Sequence, residues 1–274
     1  MISALFFMAA SCTERIDIEL DDSYARLVVE GIITTDSTPH FIKLTKTSSY
    51  YYSEKPPAVS NAVVTIDDGE STITLSESEP GVYQTPLHYK AIPGRTYKLN
   101  ISLDSPISGQ QNYSAQSYCY PGLVLDSIKA VYRDDISSKG YYEIKCYAQD
   151  PPTKDFYMFR IYRNGVLLSD SLNKVLVTDD RFFNGNYTNG IGVGFLDQSN
   201  PLEKVEPGDQ MSVESSRITE EYYTFVMQLQ MQSGFQTPLF SGPPSNISGN
   251  ISHDAIGFFT TYPLYKSHTI AQSR

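Results

Sequence analysis

The sequence predicts a mainly β protein: two β-sandwich-like domains, with one amphipathic helix in the second. Three observations predict it. Tyr (21), Gly (17) and Pro (16) are abundant in 274 residues while Trp is absent, the composition of short strands joined by turns. Apolar and polar residues alternate over short runs, the period of a strand with one wet face. Turn signals separate these runs at short, regular intervals, the rhythm of a sandwich.

The first series of strands falls at residues 26–34, 39–47, 62–66, 71–75, 81–84 and 97–103. Asp67-Asp68-Gly69 is a hairpin turn between the third and fourth, because Asp-Gly accepts the positive φ that such turns need. Residues 50–57, with Tyr50, Tyr51 and Tyr52, read as a loop. Pro121-Gly122 closes the first domain, expected over residues 25–121. The second domain, 122–274, carries strands at 123–132, 141–148, 174–178, 190–196, 210–214 and 255–260, and a hairpin over 156–168 that turns at Asn164-Gly165. Asp150-Pro151-Pro152 breaks one strand, and the glycines of 190–196 mark a bulge or close packing.

One helix is expected over residues 219–232. Thr219 caps it, Glu220 and Glu221 suit its positive first turn, and Tyr222, Phe225, Val226 and Leu229 share a face. That face reads as core packing rather than a ligand groove.

The chain opens with an apolar run ending Ala10-Ser11-Cys12. The run is too short to span a bilayer and has the order of a secretion signal. Residues 1–11 are therefore expected to be a signal peptide whose end resembles a bacterial lipobox, with Cys12 as the lipidated residue. Residues 12–24 form an acidic linker, and Glu14 resembles part of a surface-export signal. Lys and Arg total 21 against 31 Asp and Glu, a net charge of -10. Nucleic acid and anionic lipid surfaces are poor partners for such a chain.

Candidate chemistry is sparse. The motifs of zinc peptidases, serine hydrolases, P-loops and dinucleotide folds are absent. His40, His88, His253 and His268 lie in separate segments. Residues 179–186 gather oxygen donors of the kind calcium uses, but outside the EF-hand spacing. No catalytic residue, metal or cofactor is expected. Cys119 and Cys146 either pair, as export permits, or stay as buried thiols. The tyrosines at 50–52, 141–142 and 222–223 either stack on a ligand or fill sheet faces.

An ordered series of segments resembles a known family: 27–34, 42–47, 57–66, Gly81-Val82-Tyr83, 93–97, 179–185, 244–251 and 255–259. It is the Bacteroidota lipoprotein family known as domain-of-unknown-function family 4249. The front half also resembles immunoglobulin-like or macroglobulin-like modules. The resemblance implies a lipid-anchored outer-membrane protein, exposed at the cell surface and encoded beside a TonB-dependent transporter. The family brings no catalytic residues. The expected function is a non-catalytic accessory binding protein of that transporter in nutrient uptake, with contacts through Tyr50, Tyr51 and Tyr52 or the C-terminal segment. A structural or adhesive surface lipoprotein is the alternative, and an unrecognised enzyme the third.

Overall fold

The computed structural model describes residues 25–48, 55–135, 139–233 and 247–272. Cys12 and Tyr50, Tyr51 and Tyr52 lie outside them. The mainly β expectation is met, and one α-helix occurs among the described residues.

Two sheets face each other in the first half. In chain order their strands are β1 (Leu27–Thr34), β2 (Phe41–Lys46), β3 (Val63–Asp67), β4 (Thr72–Thr74), β5 (Ser76–Glu79), β6 (Val82–Gln84), β7 (Thr96–Ile107) and β8 (Gln110–Tyr118). One sheet runs β4-β3-β7-β8. The other contains β5, β6, β2 and β1, and then β16 (Ile256–Tyr262) from the far end of the chain. Alternation along β1 buries Leu27, Val29 and Ile33, which meet Val64, Ile66, Leu99 and Ile101 in one apolar core.

β16 pairs with β1 in parallel, from Val28 opposite Ile256 to Thr34 opposite Tyr262. Gly257, at φ +102°, makes this close approach possible, since a Cβ there would collide with the Val29 carbonyl. The other flank of β16 meets β8 through side chains instead of a ladder. Asn250 accepts a hydrogen bond from Phe259 N–H (2.9 Å) and donates to the Phe259 and Gln116 carbonyls (2.7 and 3.1 Å). Ser117 Oγ accepts from Thr261 N–H (2.9 Å). β16 thus seals the first sandwich.

The second half holds β9 (Ser127–Arg133), β10 (Tyr141–Tyr147), β11 (Phe156–Arg163), β12 (Val166–Leu167), β13 (Leu176–Asp179), β14 (Ile191–Asp197), β15 (Gln210–Ile218) and β17 (Tyr265–Ile270). One sheet runs β14-β10-β9; the other runs β12-β11-β15-β17, with β13 also on β11. Tyr142, Ile144, Tyr157, Phe159, Ile161 and Val213 fill the space between. The helix α1 (Glu220–Ser233) starts where expected, with Tyr222 N–H donating to Thr219 Oγ1 at 3.2 Å. It covers the opposite face of the β11 sheet, where Tyr222 and Val226 join Met158, Ile218, Phe258 and Tyr262. Successive β16 residues therefore serve different cores, Phe259 the first and Phe258 a third.

A second domain running unbroken from 122 to 274 is not what the topology shows. The chain leaves the first sandwich after Cys119, builds the second module, and returns to the first through β16. Of the two readings of the cysteines, the structure shows the second. Cys119 and Cys146 are free thiols buried in separate cores. Burial pushes each up to about 12, so neither is a ready nucleophile.

Candidate functional site

The densest cluster of ionisable groups is assembled by β11, β13 and the loops that flank them. Asp150 sits just before the Pro151-Pro152 break, Asp155 starts β11 and Asp180 follows β13. All three are buried, at 1–2% exposure, and one carboxylate oxygen from each lies within 4.8 Å of the others. Tyr157 O–H, on β11, is 2.7 Å from Asp150 and 3.3 Å from Asp155. Arg217, on β15, pairs with Asp155 and lies over the Tyr120 ring at 4.8 Å. Backbone donors complete the set: Asp155 N–H to Asp180 (2.9 Å) and Gly185 N–H to Asp150 (3.1 Å).

Desolvation dominates the electrostatics. It raises the Asp150 carboxyl above the usual range, against the Tyr157 and Gly185 donors that favour its charged form. It also raises Asp155, although the Arg217 guanidinium pulls the other way. Three carboxylates suit a hard cation, but calcium wants six to eight oxygens, and Arg217, Tyr157 and two peptide N–H groups already face these. What the arrangement does within the chain is clamp two loops together. Asp180 carbonyl accepts from Phe183 and Asn184 N–H, and the Phe183 ring stacks 6.3 Å from Tyr157.

A second feature lies on the flank of the same module. A cavity of about 310 Å³ separates β13 from β14. Ile161, Leu168, Val193 and Leu196 form its floor, and bare backbone at Gly192 and Gly194 forms one wall. The glycine-studded strand does carry a bulge, since the β10 register skips Val193 between Gly192 and Gly194. A Cβ at Gly194 would collide with Ile161 Cδ1.

The sequence-derived candidates distribute as follows. Of the 179–186 donors, Asp180 turns inward while Asp179 pairs outward with Arg181. Asp150, read as part of the Pro151-Pro152 break, and Asp155, which no pattern singled out, supply the rest of the cluster from a separate stretch of chain. The only signal for them was an acid before a Pro-Pro break. Tyr142 and Tyr222 fill cores. Tyr141 lies 5.8 Å from Phe195 on the outer face of the β14-β10-β9 sheet. The four histidines do not converge in any cluster among the described residues. His40 is buried, and burial lowers it despite the Asp36 carbonyl 3.2 Å from Nε2. His253 meets Tyr113 edge-on, and His268 is exposed on β17.

Among protein families, the model described as domain of unknown function DUF4249 matches residues 13–267. No curated protein matches the chain.

Proposed function

The chain belongs to the DUF4249 family, and we propose that it is a lipid-anchored outer-membrane protein acting as a non-catalytic accessory binding partner of a TonB-dependent transporter. One observation carries the non-catalytic part. The residues best suited to acid–base or metal chemistry, Asp150, Asp155 and Asp180, are sealed from solvent and tied to donors of the chain itself. The accessible feature is instead an apolar cavity walled by strand backbone. This arrangement supports binding over catalysis, since the one carboxylate cluster among the described residues presents no free reacting group.

The lipobox-like Ala10-Ser11-Cys12 supports the anchor, and the family match begins at residue 13, directly after Cys12. The transporter partner rests on the family resemblance. Cys12→Ser is expected to move the protein out of the membrane fraction while the tagged wild type, solubilised in mild detergent, brings a transporter with it. Membrane fractionation and identification of the co-purified chain test the two parts separately. A variant that stays in the membrane refutes the anchor; a wild type recovered alone refutes the partner.

A further inference from the structure

Free sheet edges invite pairing with other chains, and folded proteins defend them with charges, brevity or cover. Among the described residues, the sheet edges are defended with one exception. β4 has three residues and β12 two. β5 carries Glu77 and Glu79, β9 carries Lys129 and Arg133, and β17 carries Lys266 and His268. β8 and β16 cover each other through Asn250 and Ser117. β13 has four residues and ends at Asp179, paired with Arg181.

β14 is different. It has seven residues, bears no charge from Ile191 to Leu196, and among the described residues pairs with β10 alone. Its bulge turns Val193 into the core at 2% exposure and adds no charge to the rim. Gly192 and Gly194 put no side chain of their own on the strand, their faces being packed by Glu143 and Phe195 and by Ile161, so none of their side chains stands beside the hydrogen-bonding edge. Phe195 stands 61% exposed beside it. The 310 Å³ cavity opens along this same edge, with Lys174 and Glu203 at its rim.

We propose that β14 is a docking edge for an extended strand of a partner protein, which lengthens the β14-β10-β9 sheet and places an apolar side chain in the cavity above Ile161. Unpaired N–H and C=O groups along an uncharged strip are matched by another strand, and a charged segment would lose its hydration there without compensation. Lys174 is paired with Asp170, and Glu203 accepts from Asp197 N–H and Asn200, so both charges beside the cavity already have partners in the chain, which favours a segment of no net charge. A second copy of β14 fits less well. It would bring glycines against glycines, and its Val193 and Leu196 are already spent in its own core, so the cavity would stay empty. The inference concerns the edge and holds whichever protein supplies the strand, the transporter included.

The test uses the full chain and fluorescent peptides of alternating Thr and one apolar residue (Val, Ile, Leu or Phe), with proline-substituted peptides as controls. The expected result is saturable binding by at least one alternating peptide and slowed amide exchange over residues 191–196. Gly192→Lys and Phe195→Lys should each weaken that binding about tenfold or more. Neither should move the thermal midpoint much. Phe195 is exposed, and a Cβ at Gly192 meets side chains rather than backbone, Glu143 Oε1 at 2.8 Å and the Phe195 ring at 3.1 Å. No binding across the panel, equal binding by the proline peptides, or binding indifferent to both substitutions overturns the proposal. Protection of 191–196 that grows with protein concentration and needs no peptide overturns the foreign strand in favour of self-association.

Discussion

The two modules of this chain handle charge and edges in opposite ways. In the first, none of the described carboxylates is buried; Asp68 comes nearest, with its side chain 10% exposed and paired with Arg95, and β16 seals the module. In the second, Asp150, Asp155, Asp180 and Glu214 are all buried. Arg160, Glu214 and Lys266 even form a cross-strand row, register partner to register partner. The second module also keeps β14 open. The contrast separates two jobs. In the first module apolar burial carries the core and polar links lie at the β16 seam, whereas in the second buried polar clamps hold projecting loops in place.

The strongest way to break this comparison is to end the chain before Ile247. That removes β16 from the first module and β17 from the second, including Phe259, which is fully buried in the first core. Loss of the cooperative unfolding transition is expected for both modules by calorimetry. A first module that still melts cooperatively would show that it closes without the returning strand.

Next in size is Arg217→Met, which leaves Asp155 buried beside two other acids. Removing one partner of a buried pair costs about 3–5 kcal/mol. The matching change in the first module, Lys43→Met, breaks a pair with Glu30 that is more than half exposed on both sides and should cost under about 1 kcal/mol. Urea midpoints compare them, and equal costs would erase the distinction between the modules. Asn250→Ala is smaller, at about 1–3 kcal/mol, since it leaves the Phe259 N–H and two carbonyls without their partner. A loss near zero would mean that β16 needs no side-chain link to β8.

The smallest effect is a difference in pH slope. In the first module, the Asn61 and Gly81 N–H donors hold Glu77 below its usual value. Desolvation lifts Asp68, but the Ser71 and Glu70 N–H groups and Arg95 outweigh it. Stability from such lowered groups is present above the unfolded pKa and lost as pH falls through the folded one. Asp150 and Asp155 are raised, so their contribution is present below the unfolded pKa and lost as pH rises through the folded one. Relative to wild type, Glu77→Gln should therefore recover stability as pH drops from 7 toward 4. Asp150→Asn should lose it over the same span. Thermal midpoints across that range check the signs, and parallel slopes would refute the assignment of causes.

Legibility followed burial. β1, β2, β7 and β11 alternate apolar residues toward a core and were plain in the sequence. So were the Asp67-Asp68-Gly69 turn, whose Gly69 N–H bonds to Asp67 (2.8 Å), and the Thr219 cap. β8 was not, because its inward residues past Tyr113 are Ala115 and Ser117, too small or polar to mark a period. β17 was hidden more completely, since none of its residues is buried. The carboxylate cluster was invisible as a unit: Asp150, Asp155, Asp180 and Arg217 span three stretches of sequence, and each alone reads as a turn residue or a surface charge.

By itself, the sequence determined the β class, the helix with its cap and most of the turns, because these depend on propensity and on patterns within a few residues. Only the tertiary structure decided where the chain's end belongs, which acids share a buried site, and which edge stays bare. Those depend on contacts between residues tens to hundreds of positions apart, from Asp150 beside Asp180 to Val29 against Gly257, and no local pattern encodes which distant strand will fill a gap.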